Sequence, residues 1–130
     1  MNMDERVRRA RYAAAAKTRN VVDLQVAIER MERATSALIQ CVTAEERRTR
    51  TVDRSHVTYS MVAKDAVERS HRLQKTIAEL KTMLQVAIVE RDSAAAHLGV
   101  LEATLMDNSS LSGAGPLRQL PLFPPGNRAA

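Results

Sequence analysis

Aromatic residues are almost missing from this 130-residue chain, which has one Phe, two Tyr and no Trp although 45% of its residues are apolar. A globular core of this size ordinarily leans on several aromatics, because each buries a large area per ordered residue. Glycine and proline are also missing, but only locally. Residues 1–98 contain neither, and all four prolines fall between Pro116 and Pro125. Sheet proteins need such residues in their turns, so a β-rich fold is excluded over that span. A single cysteine, Cys41, permits no internal disulfide and no cysteine-built zinc site. No run approaches the roughly 20 apolar residues that cross a bilayer. The charged start Met1-Asn2-Met3-Asp4-Glu5-Arg6 lacks the apolar region of a signal peptide, so a soluble cytoplasmic protein is expected.

What is present is aliphatic and periodic. Alternating steps of three and four from Val7 give a heptad series with a positions Val7, Ala14, Val21, Ile28, Thr35 and Val42. Its d positions are Ala10, Lys17, Leu24, Met31, Leu38 and Glu45. A second stretch has Ala63, Ser70, Ile77, Leu84, Arg91, Leu98 and Leu105 at a, and Tyr59, Ala66, Leu73, Leu80, Ala87, Ala94 and Leu101 at d. Such a 3.5-residue repeat is the signature of helices that share a coiled-coil seam. The expected core is Val21, Leu24, Ile28, Met31, Leu38, Val42, Leu73, Ile77, Leu80, Leu84, Leu98 and Leu101.

Between the two stretches, Thr49 to His56 are weak helix formers, with Asp53 and Ser55 as candidate helix caps. A turn there predicts an all-α fold: a long antiparallel two-helix coiled-coil hairpin with a disordered Pro-rich C-terminal tail. The boundaries are a helix over about 4–49, a turn over about 50–55, a helix over about 56–107 and a tail over 108–130. Folding at residue 54 pairs core positions whose numbers sum to 108, so that Leu24 meets Leu84, Met31 meets Ile77 and Val42 meets Ala66. Lys17 then falls opposite Arg91, and both long cations can snorkel towards Glu90 and Asp92. The heptad phase passes through the turn without a skip, so a homodimer of continuous helices with the same layers stays open beside the hairpin.

The seam leaves no room for catalysis. His56, His71 and His97 are far apart in sequence with no metal-binding spacing. The first glycine is Gly99, which rules out a glycine-rich phosphate loop earlier in the chain. No catalytic residue, metal or cofactor is expected, and the chain is read as a non-enzyme. The net charge of +5 is concentrated in residues 1–50, with eleven basic and seven acidic side chains. A mildly basic first helix could touch membrane lipid, nucleic acid or an acidic partner, but a solvated coiled-coil face is the preferred explanation.

The stretch Ala44-Glu45-Glu46-Arg47-Arg48, followed by Asp53, Ser55, His56, Tyr59, Ala63, Ala66 and Arg69, resembles the turn and early second helix of the FliJ family of flagellar type III export proteins, in its alphaproteobacterial form. The resemblance covers about residues 15–105. It implies an antiparallel coiled coil in the cytoplasm or at the cytoplasmic face of the inner membrane. The partners it implies are the export ATPase and the export gate. The chain departs from the family in being short and in ending on a Pro-rich tail.

That tail holds Gln119-Leu120-Pro121-Leu122-Phe123 and the only Phe of the chain. The pentapeptide resembles the motif by which bacterial proteins bind the replicative sliding clamp. As an extended ligand it can place Leu122 and Phe123 in an apolar pocket while the Gln119 amide bonds at the rim. A clamp-tethered accessory protein of DNA replication or repair is therefore the alternative expectation.

Overall fold

The computed structural model describes the backbone of residues 2–129 and the side chains of residues 2–109. Two helices, α1 (Met3–Thr49) and α2 (Met61–Ala129), pack together as an antiparallel coiled-coil hairpin. The chain turns back on itself over residues 50–60, so the helix does not run through as a dimer of continuous rods would require. The expected tail and its Gln119–Phe123 peptide lie outside the described side chains. The contacts divide the chain into two compact units, residues 1–17 with 90 onward, and Thr18–Val89.

In the first unit α1 opens at Asn2, whose Oδ1 accepts the Glu5 N–H at 2.8 Å. Asp4 and Glu5 in the first turn add the negative charge that a helix N-terminus favours. Val7, Ala10 and Leu101 are buried, with Met3, Leu98 and Leu105 packed against them. These are the pairs Met3/Leu105, Val7/Leu101 and Ala10/Leu98, each summing to 108, so the register read from the heptads holds. Lys17 and Arg91 are both half-buried and both reach a carboxylate. Lys17 Nζ lies 3.4 Å from Glu90, and the Arg91 guanidinium 3.1 Å from Asp92. A 3.0 Å bridge joins Arg11 to Glu102.

In the second unit the same register seats Val42, Tyr59, Ala63 and Ala66 in one buried cluster, with Leu38, Cys41 and Val67 against it. Every buried apolar residue of the described chain sits at an a or d position of the heptad series. The full core expectation needs one correction. Val21, Ile28, Val42, Ile77 and Leu101 are buried, but Leu24, Met31, Leu38, Leu73, Leu80, Leu84 and Leu98 are only half-buried. Two helices touch along one line, and nothing covers the outer flank of a side chain that leans off it.

The turn departs from expectation in its caps. α1 stops at Thr49, and Arg50 takes the left-handed conformation at φ 58° that commonly ends helices. Asp53 and Ser55 do not open α2; they bond to each other. Asp53 Oδ1 accepts the Ser55 N–H at 3.0 Å and its hydroxyl at 2.7 Å, a local turn that uses up both groups. The cap is Ser60. Its Oγ accepts the Ala63 N–H at 3.2 Å, so α2 begins at Met61 rather than near residue 56.

Two adjacent carboxylates of α1 hold the turn down. The Ser60 hydroxyl donates to Glu45 at 2.9 Å, and the Tyr59 hydroxyl donates to Glu46 at 2.8 Å. Arg48 adds a 2.8 Å bond to Glu45. These bonds, from Arg48 first and then Ser60, hold the Glu45 carboxyl below its ordinary value of 4.5. Its partners keep their protons while the carboxylate stays charged, so this contribution to stability is present above the ordinary value. It is lost as pH falls from there through the lowered value of the folded state. Asp53, held low by Ser55, has the same sign. Burial and the bond to Glu46 push the Tyr59 phenol above 10.0, so its contribution is lost instead as pH rises past that value. A Glu45→Gln variant should therefore lose less thermal stability than wild type between about pH 6 and about pH 3. Thermal melts followed by helicity across that range measure the difference, and parallel curves would assign Glu45 no such part.

Candidate partner-binding groove

The seam of the second unit has two edges of opposite character. The one formed by the heptad e positions is bridged by ion pairs. Glu32 and Lys81 meet there at 3.4 Å, and Glu46 faces Arg54 at 4.0 Å. The opposite edge, formed by the g positions, carries small residues on α1, among them Ala27, Ala34 and Cys41. Small side chains there cannot roof the d residues that lean towards them.

The seam thins in the same place. Thr35 and Ser70 occupy a positions as buried hydroxyls, and each bonds back to its own helix. Thr35 donates to the Met31 carbonyl and Ser70 to the Val67 carbonyl, both at 2.9 Å. Their hydrogen bonds are satisfied without reaching across, so no polar cost attaches to these layers. In the 108 register Thr35 opposes Leu73 and Ser70 opposes Leu38. Both leucines consequently remain half-exposed, facing the small-residue edge.

The result is an open groove of about 540 Å³ lined by Ala34, Ala37 and Leu38 from α1 and by Arg69, Arg72, Leu73 and Thr76 from α2. Its floor is Leu38 and Leu73. One wall is alanine, and the other carries two arginines. Arg69 is 3.7 Å from Asp65 one turn back on its own helix. The Arg72 guanidinium has no ion-pair partner among the described residues. The trough is aliphatic at its floor and cationic along one wall.

Apart from Leu38 and Leu73, which the heptads predict in the core, the residues that carry the family resemblance fall elsewhere. Tyr59, Ala63 and Ala66 belong to the buried cluster; Asp53, Ser55 and His56 shape the turn, where His56 Nδ1 accepts the Thr58 N–H at 3.1 Å. Only Arg69 among them reaches the groove. His71 lines a small recess on the other edge, and His97 lies on the first unit. Cys41 is half-buried against the Val42 cluster. Among the described residues no three His, Cys, Asp or Glu side chains converge as a metal would require, and no helix is long and apolar enough to cross a membrane. Gln119, Leu120, Pro121, Leu122 and Phe123 fall within α2, and their side chains lie outside the described ones.

The groove leucines should cost less to remove than the buried isoleucines of the same unit. Leu38→Ala or Leu73→Ala is expected to destabilise by about 1 kcal/mol, against about 3 kcal/mol for Ile28→Ala or Ile77→Ala. Urea unfolding followed by helicity gives both. Equal losses would mean that the leucine flanks are covered in solution.

Set against protein families, curated proteins and solved structures, the chain matches no family model, no curated protein and no solved structure.

Proposed function

We propose that this protein is a non-enzymatic coiled-coil adaptor of bacterial flagellar protein export, of the FliJ kind. It works at the export ATPase and export gate, at the cytoplasmic face of the inner membrane. The resemblance over Ala44 to Arg69 supplies the family. The hairpin supplies the matching architecture, and the observation that carries the reading is the groove over Leu38 and Leu73. An adaptor that exchanges partners needs a surface that binds a helix without a pocket of its own chemistry. Half-buried seam leucines beside alanines offer that, and Arg69 and Arg72 select for an acidic flank. Binding deepens a seam that already exists, so no rearrangement of the hairpin precedes it.

Ala34 and Ala37 are exposed groove-wall residues that the seam does not need. An Ala34→Arg, Ala37→Arg double variant should keep wild-type helicity and melting, because substitutions on an open helix surface usually stay within about 0.5 kcal/mol. The same variant should lose swimming in soft agar and lose recovery of the export ATPase by about tenfold or more. Normal motility in a strain deleted for the gene would remove the export reading altogether. Full motility with the double variant would remove the groove from it.

A second reading rests on Gln119-Leu120-Pro121-Leu122-Phe123, as a ligand that tethers the coiled coil to the replicative sliding clamp. In that case the full chain captures the clamp from lysate, and Leu122→Ala with Phe123→Ala abolishes the capture. Clamp recovery that is absent, or indifferent to those changes, sinks it.

A further inference from the structure

Four large apolar side chains in and beside the turn face water with no contact to account for them. Val57 is 95% exposed, Met61 75%, Val52 74% and Val62 56%. Exposed apolar clusters of this kind on a loop ordinarily mark a surface that something else covers. The charge around them is one-sided. Residues 47–64 contain Arg47, Arg48, Arg50, Arg54 and Lys64 against the single acid Asp53. Asp53 is taken up by Ser55, and the neighbouring Glu45 and Glu46 are half-buried and engaged by Ser60, Arg48, Tyr59 and Arg54. Within the turn itself every carboxylate is engaged; beyond it on α2, Asp65 is bridged to Arg69 and Glu68 is exposed one helical turn past Lys64. Arg47, Arg50 and Lys64 have no ion-pair partner among the described residues.

We propose that the turn is a contact tip for an anionic lipid bilayer. Val52, Val57 and Met61 enter the boundary between headgroups and acyl chains, and Arg47, Arg50 and Lys64 meet lipid phosphates around them. Charge complementarity selects this occupant, because an anionic leaflet attracts clustered Lys and Arg, and each cation adds to the attraction. Side-chain type favours the bilayer over an acidic protein. The exposed residues are aliphatic, without the aromatic anchors that dominate protein hot spots. Neither signal suffices alone: a few valines bind membranes weakly and surface cations are screened by salt, but the two together hold a protein at the interface. The inference stands apart from the export reading, since it concerns lipid and not a protein partner.

Flotation of the purified full chain with vesicles decides it. Vesicles of phosphatidylcholine with about one third phosphatidylglycerol should carry the chain at low salt, vesicles of phosphatidylcholine alone should not, and high salt should release most of it. Val57→Asp, at a position that touches no core, should cut recovery about tenfold, and Arg47→Gln with Lys64→Gln should do the same. Arg8→Gln with Arg9→Gln, changing another basic segment, should leave recovery intact. Helicity of each variant checks that the hairpin persists. The proposal is overturned if the chain does not float with anionic vesicles, if Val57→Asp floats as well as wild type, or if the Arg8 and Arg9 changes alone abolish recovery. Absence of flotation, together with retention on polyglutamate that Val57→Asp abolishes, would overturn it too and assign the tip to an acidic protein surface.

Discussion

Two helices share one line of contact, and one line cannot enclose every side chain that the heptad repeat directs towards it. In α1 the a residues Val21, Ile28, Thr35 and Val42 are buried, whereas the d residues Leu24, Met31 and Leu38 are half-buried. A third helix or a second hairpin would have covered the outer flank of each. The near absence of aromatics follows the same constraint. A seam one residue deep has little volume for a ring, and Tyr59 finds its place only where the turn closes the second unit over Val42. The chain is therefore built from aliphatic side chains that can be half-covered at modest cost.

Half-coverage becomes a binding property where three choices coincide. Thr35 and Ser70 make the seam shallow, their hydroxyls are satisfied within their own helices, and the g edge beside them carries Ala34 rather than a long side chain. Had either hydroxyl reached across to the other helix, the layer would have gained a cross-link and lost its opening. Had Ala34 been Lys or Glu, its stem would have lain over Leu38, as long charged residues do along many coiled coils. The other edge shows that alternative, with Glu32 and Lys81 facing each other across the seam.

The linear pattern carried the line of the seam well and the depth of its layers poorly, for a physical reason. Heptad spacing states which residues face a partner helix, and register follows once a turn is assumed. Val7 with Leu101, Ala10 with Leu98, and the acids that receive Lys17 and Arg91 could all be read in this way. How deep each layer sits depends on what flanks it across the seam, and that is a property of pairs and not of single positions. Leu38 and Leu73 look like any other core leucines until Thr35 and Ser70 are placed against them. The turn was misjudged for a related reason. Asp53, Ser55 and Ser60 are equally good caps in isolation, but Asp53 and Ser55 satisfy each other first. Ser60, by contrast, is followed by an unbroken helical sequence and is fixed by Glu45. The signal was present in Glu45 and Glu46, one 3.5-residue step from the end of the seam, but it needed the fold-back to be seen.

The same two carboxylates explain why the turn can expose so much apolar surface without coming apart. A loop ordinarily stays ordered by burying something, and this one buries only Tyr59 and Ser60. Its order comes from Glu45 and Glu46, which hold Ser60, Tyr59 and Arg48 through charge-assisted bonds, with Arg54 4.0 Å from Glu46. Because those bonds engage the two acids of α1 that border the turn, they also leave it little free negative charge. Structural order and a net positive surface thus arise from one set of interactions. Val57 and Val52 are left free of any folding duty, available to whatever the surrounding arginines attract.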